Sequence, residues 1–237
     1  MDSYFIHSGG YSDTNHSVCH KTEVICPKIC GQHTTQKIEN QKSKMKHSIS
    51  ATALGMYAST KFCKRCEWIR LHVKSIPYQS FPGIFSTIDR YNKLIVQSYI
   101  DRTDSLPLWL SKLGQIESYL DPPHWSRFKV LDEETGVTLR GEADAIFKMS
   151  DGSYTIVDYK AAKYTAGQMG LFKNYEVQLN AYAFISEHLN ITPVSQLALV
   201  YMEPITDKQT VRTPNLVNNL GFTIGLSATV ILVNLKA

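Results

Sequence analysis

The chain has 237 residues, of which 43% are hydrophobic, enough to build a packed core and to exclude a wholly disordered protein. Its 25 Lys and Arg residues against 21 Asp and Glu residues give a net charge of +4, which permits nucleic-acid binding without requiring it. No apolar run reaches the roughly 18 residues that a membrane-spanning helix needs. The opening residues show neither a basic start nor an apolar run, so we predict no secretory signal and a cytoplasmic location.

Residues 1–47 differ in composition from the rest of the chain. They contain five of the eight histidines and three of the five cysteines, and small polar residues with lysine dominate. Large apolar side chains do not recur with any period, so a packed core is not expected here. We predict an extension that is disordered or clamped locally by a metal, followed by one folded domain over residues 48–237.

The five cysteines do not indicate a disulfide framework, because their number is odd and no secretory signal precedes them. Cys63 and Cys66 have the spacing of metal ligands, but a structural zinc site usually needs four ligands. Two reduced thiols beside a core Trp68 are the simpler interpretation. Further ligands for a zinc ion would come from the extension, which offers Cys19, Cys26, Cys30, His20 and His33.

The first half of the domain predicts helices. Residues 50–71 show helical apolar spacing that is interrupted around residues 63–66. Ser86 or Thr87 is suited to cap a second helix, and residues 108–120 predict a third that ends at a Pro-Pro pair. The apolar stripe of the second helix comprises Ile88, Tyr91, Ile95 and Tyr99.

The second half changes to the alternating pattern of strands. A helix is predicted at residues 170–189, between strands. The final apolar run, residues 220–235, alternates as a long strand does and is too short for a membrane helix. The chain ends directly after this run, which suggests a shortened form of something longer. The other strands are predicted at residues 128–131, 137–148, 154–160 and 196–202.

Three charged residues occupy strand positions where neutral or apolar residues are expected. Asp144 lies within the stretch RGEADAI, and Asp158 and Lys160 lie within TIVDYK. Residues two apart in a strand share a face, so Asp158 and Lys160 converge. Asp and Lys are poor strand formers, and such exceptions to local preference often mark functional sites.

The chemistry of this trio fits phosphodiester hydrolysis. Two carboxylates from adjacent strands are hard oxygen ligands suited to Mg²⁺ or Mn²⁺. A divalent ion polarises a phosphodiester and lowers the pKa of a bound water, and a neighbouring lysine stabilises the developing charge. An Asp-Lys pair on a solvated sheet face is the alternative, since exposed strands carry such pairs routinely.

The hairpin between the two strands sets whether these groups meet. A two-residue turn at Asp151-Gly152 would place Tyr159 opposite Asp144 and separate the charged side chains. A three-residue loop of Asp151, Gly152 and Ser153, with Gly152 left-handed, would place Lys160 opposite Asp144. We predict that loop or a β-bulge.

The predicted helix over residues 170–189 supports the site independently. Gln178 and Tyr182 are four residues apart, so both project from one helix face, together with apolar positions that should face the sheet. A buried Gln needs hydrogen-bond partners, which a catalytic carboxylate or a phosphate would supply. A boundary Gln beside a core Tyr is the plainer alternative.

These residues together resemble the PD-(D/E)XK nuclease superfamily. Gly141-Glu142-Ala143-Asp144 is followed by Asp158-Tyr159-Lys160, and Gln178-Leu179-Asn180-Ala181-Tyr182 is similar to the Gln-x-x-x-Tyr helix motif of its RecB-like branch. The resemblance extends over residues 48–204. It implies a restriction-endonuclease-like α/β fold, in which a mixed sheet is flanked by helices.

The resemblance also implies roles for individual residues. Asp144 and Asp158 would bind Mg²⁺ or Mn²⁺, with the carbonyl of Tyr159 as a further ligand, and Lys160 would be catalytic. Gln178 and Tyr182 would orient the active site or the DNA strand.

Two features depart from relatives in this branch. Many of them place a histidine metal ligand on an early helix, whereas Asp89 or Lys93 occupies the corresponding region here. His72 is near in sequence but precedes the break at Pro77. Some relatives hold an iron–sulfur cluster with three late cysteines, and no cysteine follows Cys66, so such a cluster is not expected in this chain.

Two functions follow from the resemblance. The first is a metal-dependent DNA nuclease, for example an exonuclease, that acts on single strands or duplex ends. It would serve in repair, recombination or phage replication, with a helicase or recombination protein as its partner. The second is a catalytically inactive nuclease-fold module that binds nucleic acid or a protein partner. Side chains that could contact DNA near the site are Tyr159, Tyr164, Tyr175, Lys163 and Lys173, although a solvated surface explains them equally well.

Overall fold

The chain combines α-helices and β-strands in a computed structural model, which describes residues 47–59, 62–73, 82–165, 169–209, 212, 217–218, 221–222 and 225–236. All described residues lie within residues 45–237, which form one compact unit. The predicted extension therefore lies outside the described residues except for His47, as do Cys19, Cys26, Cys30, His20 and His33.

Four α-helices are described, α1 (Ala51–Tyr57), α2 (Lys64–His72), α3 (Ile84–Thr103) and α4 (Met169–His188), together with a short 3-10 helix (Leu108–Leu113). The described strands are β1 (Ser48–Ser50), β2 (Ile116–Leu120), β3 (Lys129–Asp132), β4 (Val137–Arg140), β5 (Ala145–Met149), β6 (Tyr154–Lys160), β7 (Val194–Pro204), β8 (Val217–Asn218), β9 (Gly221–Phe222) and β10 (Leu226–Val233).

The largest sheet has five strands in the order β10-β7-β6-β5-β2. Strands β6 and β7 run parallel, and the chain between them passes through α4; the other neighbours are antiparallel. A smaller sheet has the order β1-β4-β3, with β1 parallel to β4. The predicted mixed α/β architecture with flanking helices is confirmed, although the strands divide between more than one sheet.

Each face of the five-stranded sheet packs against helices. On one face, Leu179 and Ile185 of α4 pack with Ile156 and Leu199. On the other face, α3 and the 3-10 helix pack against Phe147, Val157, Val200 and their neighbours. Burying one such side chain stabilises the fold by about 1.5–3 kcal/mol. Because residues of β6 alternate between the two faces, both layers depend on this central strand.

The predicted strand over residues 137–148 is wrong, because it is two strands in different sheets. Strand β4 ends at Arg140 and β5 begins at Ala145. Gly141 lies in the break, where an added Cβ would be 2.6 Å from the ring of Tyr182. The break lets the tyrosine ring approach the backbone, and it leaves Asp144 directly before β5 rather than inside a strand.

The β5–β6 hairpin has a three-residue loop, as predicted, but one residue earlier. The Met149 N–H donates to the Ser153 carbonyl at 2.8 Å, so the loop is Ser150, Asp151 and Gly152. Gly152 is left-handed with φ +84°. Ser153 is not part of the loop, and its hydroxyl lies 2.6 Å from that of Ser195 in β7.

This register changes which residues face one another. Ala145 pairs with Val157, so the next position places Asp144 opposite Asp158. The prediction that Lys160 lies opposite Asp144 is therefore wrong. The two carboxylates, rather than a carboxylate and an amine, occupy directly opposed positions.

The buried face of α3 differs from the predicted stripe. Asn92, Val96 and Ile100 are buried, whereas Tyr91 and Ile95 are exposed. Both sets are spaced by four residues, so periodicity alone does not choose between the adjacent stripes. The helix also begins at Ile84 rather than at the predicted cap, since the hydroxyls of Ser86 and Thr87 bond back to the Gly83 carbonyl.

Residues 108–120 do not form the predicted helix. The 3-10 helix ends at Leu113, because Gly114 has φ +92°, and the following residues form β2 against β5. The final run is not one long strand either, since β9 and β10 are separate and pair with β8 and β7. The first helix is interrupted as predicted, but before residues 63–66 and not at them, because α1 ends at Tyr57 and α2 begins at Lys64. Strands β3, β6 and β7 are confirmed, as is α4. Within the described residues, we find no helix with the length and apolar character to cross a membrane.

Candidate active site

Asp144 and Asp158 meet where β5 begins and β6 approaches its end. Asp158 lies near the end of the central strand β6, with its side chain only 5% exposed. Asp144 sits in the break before β5, with its side chain 12% exposed. The predicted convergence of the two acidic residues therefore has a geometric basis, since they are opposed across neighbouring strands.

Each oxygen of Asp144 has its own partner. The backbone N–H of Tyr159 donates to Oδ2 at 2.7 Å. The ammonium of Lys93, from α3, lies 2.7 Å from Oδ1 and 3.1 Å from Asp89 Oδ2. Asp144 is thus held to the backbone of β6 on one side and to a cation on the other.

The two carboxylate oxygens of Asp158 also have different partners. The Nε2 of Gln178 donates to Oδ1 at 3.2 Å. The Nζ of Lys160 lies 2.5 Å from Oδ2, an ion pair without the alignment of a hydrogen bond. The Lys160 ammonium also lies 4.5 Å from the ring centre of Tyr175, close enough for a cation–π contact.

Helix α4 supplies a hydrogen-bonded chain to the site. Gln178 and Tyr182 are both buried, and Gln178 Nε2 lies 2.7 Å from Tyr182 Oη. The chain Tyr182–Gln178–Asp158 links the helix to the strand, and the tyrosine ring fits because Gly141 has no side chain. Both residues therefore lie beside the predicted catalytic carboxylate.

Burial makes both carboxylates harder to ionise. Removal from water raises the pKa of Asp158 to about 6, partly offset by Lys160 and reinforced by the charge of Asp144. Burial also raises the pKa of Asp144, and Lys93 acts against that rise. A divalent cation bound between the two carboxylates would favour their ionised forms and lower both pKa values.

The donor set fits a divalent ion such as Mg²⁺ or Mn²⁺. One oxygen of each carboxylate is engaged by a neutral donor, and the other, Asp144 Oδ1 or Asp158 Oδ2, is neutralised by an ammonium. Within the described part of the chain, no group of three or more His, Cys, Asp or Glu side chains forms a metal site. A metal here would use two carboxylates and complete its coordination with carbonyl, water or phosphate oxygens.

Tyr159 occupies a different place from the other predicted residues. Its ring is 4% exposed and packs in the core on the α3 side of the sheet, so the prediction that it stacks on DNA is wrong. Its backbone N–H holds Asp144. The role of its carbonyl as a metal ligand stays a prediction.

Lys93 is the residue whose contact the sequence did not reveal. In the sequence, Lys93 lies in the region where the resemblance predicts a histidine, and no pattern indicates that it reaches Asp144. Burial opposes its protonation, but contacts with Asp144 and Asp89 outweigh that effect and raise the pKa of this lysine. The only signal in the sequence is the four-residue spacing from Asp89 to Lys93, which favours an ion pair on a helix.

The paired cysteines lie apart from this constellation. Cys63 and Cys66 are exposed at the start of α2, where Cys63 Sγ accepts the N–H of Cys66 at 3.4 Å. The expectation of a core Trp68 is wrong, since its side chain is 60% exposed and stacks on His72. A zinc site at this pair stays a prediction, because its other proposed ligands lie outside the described residues.

A cavity of about 420 Å³ opens beside Tyr182. Its lining includes the half-exposed indole of Trp125, the side chains of Arg140 and Glu142, and the hydroxyl-bearing Ser50 and Thr52. An aromatic surface next to a guanidinium is the combination that holds an unpaired nucleotide by stacking and phosphate contact.

The family assignment follows from a family model described as the PD-(D/E)XK nuclease superfamily, which matches residues 99–222. The match covers more than half of the chain and includes Asp144, Asp158, Lys160 and the two helix residues. The chain belongs to the PD-(D/E)XK nuclease superfamily.

Other comparisons add little to this assignment. No curated protein matches the chain. A solved structure titled "Crystal structure of SSO0001" is 13% identical, covers 80% of this chain and 69% of that chain, and has a TM-score of 0.36. That similarity is too low to carry an argument about this PD-(D/E)XK chain.

Proposed function

We propose that this PD-(D/E)XK chain is a metal-dependent deoxyribonuclease of the RecB-like branch. The observation that carries the proposal is the opposition of Asp144, directly before β5, and Asp158 on β6, with Lys160 and Gln178 both in contact with Asp158. The bond from Gln178 to Tyr182 supports the RecB-like assignment, because it gives both residues of the Gln-x-x-x-Tyr pattern a place beside the carboxylate.

Asp144 and Asp158 would hold Mg²⁺ or Mn²⁺, with the carbonyl of Tyr159 as a further ligand. When bound, the ion polarises the phosphodiester and lowers the pKa of a coordinated water. Gln178 keeps the Asp158 carboxylate in one orientation, because its amide donates to Oδ1. Lys160 is close enough to Asp158 to stabilise negative charge that develops on a phosphate at the same place.

The substrate we propose is DNA with an unpaired strand, either single-stranded or at a duplex end. The cavity beside Tyr182 supports this substrate, since Trp125 can stack on one base and Arg140 can pair with a phosphate. Exonuclease action, a role in repair, recombination or phage replication, and a helicase partner fit such a substrate and remain part of the proposal.

A cleavage assay tests this function. Purified protein is incubated with end-labelled single-stranded and double-stranded DNA, with Mg²⁺ or with EDTA. We expect cleavage that needs Mg²⁺ and that falls by at least about a hundredfold in Asp158→Ala. Lys148→Met, which breaks an exposed ion pair with Glu117, serves as the matched control and should cleave normally. Equal cleavage by Asp158→Ala and the unmodified chain would falsify the proposal.

Two ion pairs favour the second candidate, an inactive nuclease-fold module that binds nucleic acid. Lys93 lies on Asp144 and Lys160 lies on Asp158, so each of the two carboxylates already has a cationic partner without a metal. On this alternative, the chain binds single-stranded DNA with the same affinity in EDTA and in Mg²⁺ and cleaves it in neither. Cleavage that appears only with Mg²⁺ excludes it.

A further inference from the structure

Lys93 bridges two acidic residues at the edge of the site. Its ammonium lies 2.7 Å from Asp144 Oδ1 and 3.1 Å from Asp89 Oδ2, and its side chain is 33% exposed. Asp89 is on the same helix, one turn earlier, and its side chain is 39% exposed. The lysine therefore has a buried partner and an accessible one, and it is not locked into the core.

The oxygen that Lys93 contacts is the one that a cation would need. The other oxygen of Asp144 accepts the backbone N–H of Tyr159 at 2.7 Å, which fixes it to β6. Oδ1 is the oxygen of Asp144 that no backbone group engages, so it is the one we expect a divalent ion shared with Asp158 to take, and the ammonium now lies there. Two cations cannot share that position without strong repulsion, because a partly buried site screens charge poorly.

We propose that Lys93 is a positioning residue that competes with the divalent ion for Asp144. It neutralises Asp144 until the ion arrives, and then keeps its ion pair with Asp89 alone. The consequence is a site with weakened metal affinity, in which the length and charge of one side chain set the metal concentration that is required. This inference rests on the proposed function, because it assumes that Asp144 is a ligand.

The position of Asp89 makes the exchange favourable. An acidic residue four positions before a lysine is the stabilising orientation for an ion pair on a helix surface. When Lys93 leaves Asp144, its ammonium stays paired with Asp89. Displacement therefore does not leave an unpaired charge in a partly buried position. Removing Asp89 should therefore hold the lysine more firmly on Asp144.

Direct metal binding tests the inference without relying on cleavage. The protein is stripped of metal, and Mn²⁺ binding is measured by calorimetry and by the loss of the free-ion electron paramagnetic resonance signal, at fixed pH and ionic strength. Removing a charge within ion-pair distance shifts a neighbouring equilibrium by about tenfold or more. We therefore expect Lys93→Met to bind Mn²⁺ at least about tenfold more tightly than the unmodified chain.

Three further variants define the cause. Asp89→Asn should weaken Mn²⁺ binding, opposite in sign to Lys93→Met, and Lys93→Arg should stay close to the unmodified chain because it retains the competing charge. Lys148→Met removes the same charge from the exposed pair with Glu117, so its affinity should change by less than about twofold, since solvent screens remote charges. Circular dichroism confirms that each variant is folded.

The outcomes separate this inference from the proposed function. Mn²⁺ binding that is lost in Asp144→Asn, together with tighter binding by Lys93→Met, supports both. Binding that is lost in Asp144→Asn but is equal or weaker in Lys93→Met overturns the competition and leaves the nuclease site standing. Binding unaffected by Asp144→Asn overturns both, because Asp144 would not be a ligand.

Discussion

The two sides of the candidate site are built on different principles. On the α4 side, Asp158 is oriented by the amide of a buried glutamine, which is itself bonded to a buried tyrosine. On the α3 side, Asp144 is paired with the ammonium of a lysine that is one-third exposed and shared with a second carboxylate. The contacts that α4 supplies are neutral and enclosed, whereas the contact that α3 supplies is charged and accessible; the ammonium that pairs with Asp158 belongs to Lys160 of β6 itself.

This difference has a functional consequence. A neutral donor such as the Gln178 amide orients a carboxylate and remains compatible with a cation on its other oxygen. An ammonium orients a carboxylate too, but it occupies the charge that a cation would use. Lys160 places an ammonium on Asp158 as well, but Lys93 is more exposed and has Asp89 as a second partner, so we infer that α4 fixes geometry while the α3 lysine sets how readily the metal enters.

The sharpest test of this division compares the two lysines. Lys160→Met should lower the rate of cleavage by about 10²–10³-fold at saturating Mg²⁺, because it removes a charge that stabilises the transition state. Lys93→Met should instead lower the Mg²⁺ concentration needed for half-maximal cleavage. The measurement is a Mg²⁺ titration of single-turnover cleavage, with Lys148→Met as the matched charge control. If both lysine variants lose activity equally at all Mg²⁺ concentrations, the two sides do not differ in role.

The pH dependence of stability gives the next largest effect. Burial raises the pKa of Asp158 to about 6, so the folded chain binds this proton more tightly than the unfolded chain does. Its contribution to stability is fully present below the unfolded value of about 4 and is lost as pH rises through about 6. In metal-free protein, Asp158→Asn should therefore gain stability relative to the unmodified chain between pH 4 and pH 7, by up to about 2–3 kcal/mol.

Urea unfolding of metal-free protein at several pH values checks this expectation. Asp144→Asn should show a change of the same sign, since burial raises the pKa of Asp144 as well, while Lys93 acts against it. A stability difference that is constant with pH, or that changes in the opposite direction, would show that burial does not raise the pKa of Asp158.

The α4 side of the site was predictable because its motifs are local. Asp158 and Lys160 are two residues apart on a strand, and Gln178 and Tyr182 are four apart on a helix, so spacing alone gives a shared face. The prediction that a buried glutamine needs a carboxylate partner matches the bond from Gln178 to Asp158. In a regular helix or strand, the spacing between residues is enough to predict which side chains share a face.

The α3 side was not predictable, since apolar spacing does not determine which face of α3 packs against the sheet. Two adjacent stripes of α3 have the same spacing, and the buried one, with Asn92, Val96 and Ile100, was not the one predicted. The contact of Lys93 with Asp144 joins residues far apart in sequence, and packing of α3 against the sheet decides it.

The position of Asp144 shows a second limit. Residues 137–144 alternate across Arg140, so the pattern does not place a change of sheet at that point. The hairpin loop is ambiguous by one residue for a similar reason, because Ser153 suits either a loop or a strand end. Its contact with Ser195, from a distant segment, selects the register that places the carboxylates opposite each other.

The smallest effect we predict concerns the close approach of Tyr182 to the chain break. In Gly141→Ala, the new methyl would lie 2.6 Å and 2.7 Å from two ring carbons of Tyr182. Forcing them apart should cost about 1–3 kcal/mol of stability, and the displaced ring would disturb the bond to Gln178. Gly83→Ala, at the start of α3, is the matched control, because nothing lies within 4 Å of its added Cβ and its φ of −59° suits alanine.

Thermal unfolding of the two variants measures this difference. Gly83→Ala should lie within about 0.5 kcal/mol of the unmodified chain, whereas Gly141→Ala should unfold at a clearly lower temperature. Gly141→Ala should also cleave more slowly at saturating Mg²⁺ while its Mg²⁺ requirement changes little, since the disturbance reaches Asp158 through Gln178 and not Asp144 through Lys93. Equal stability of the two variants would mean that the ring can move away freely, and the α4 side would then be less rigid than its hydrogen bonds imply.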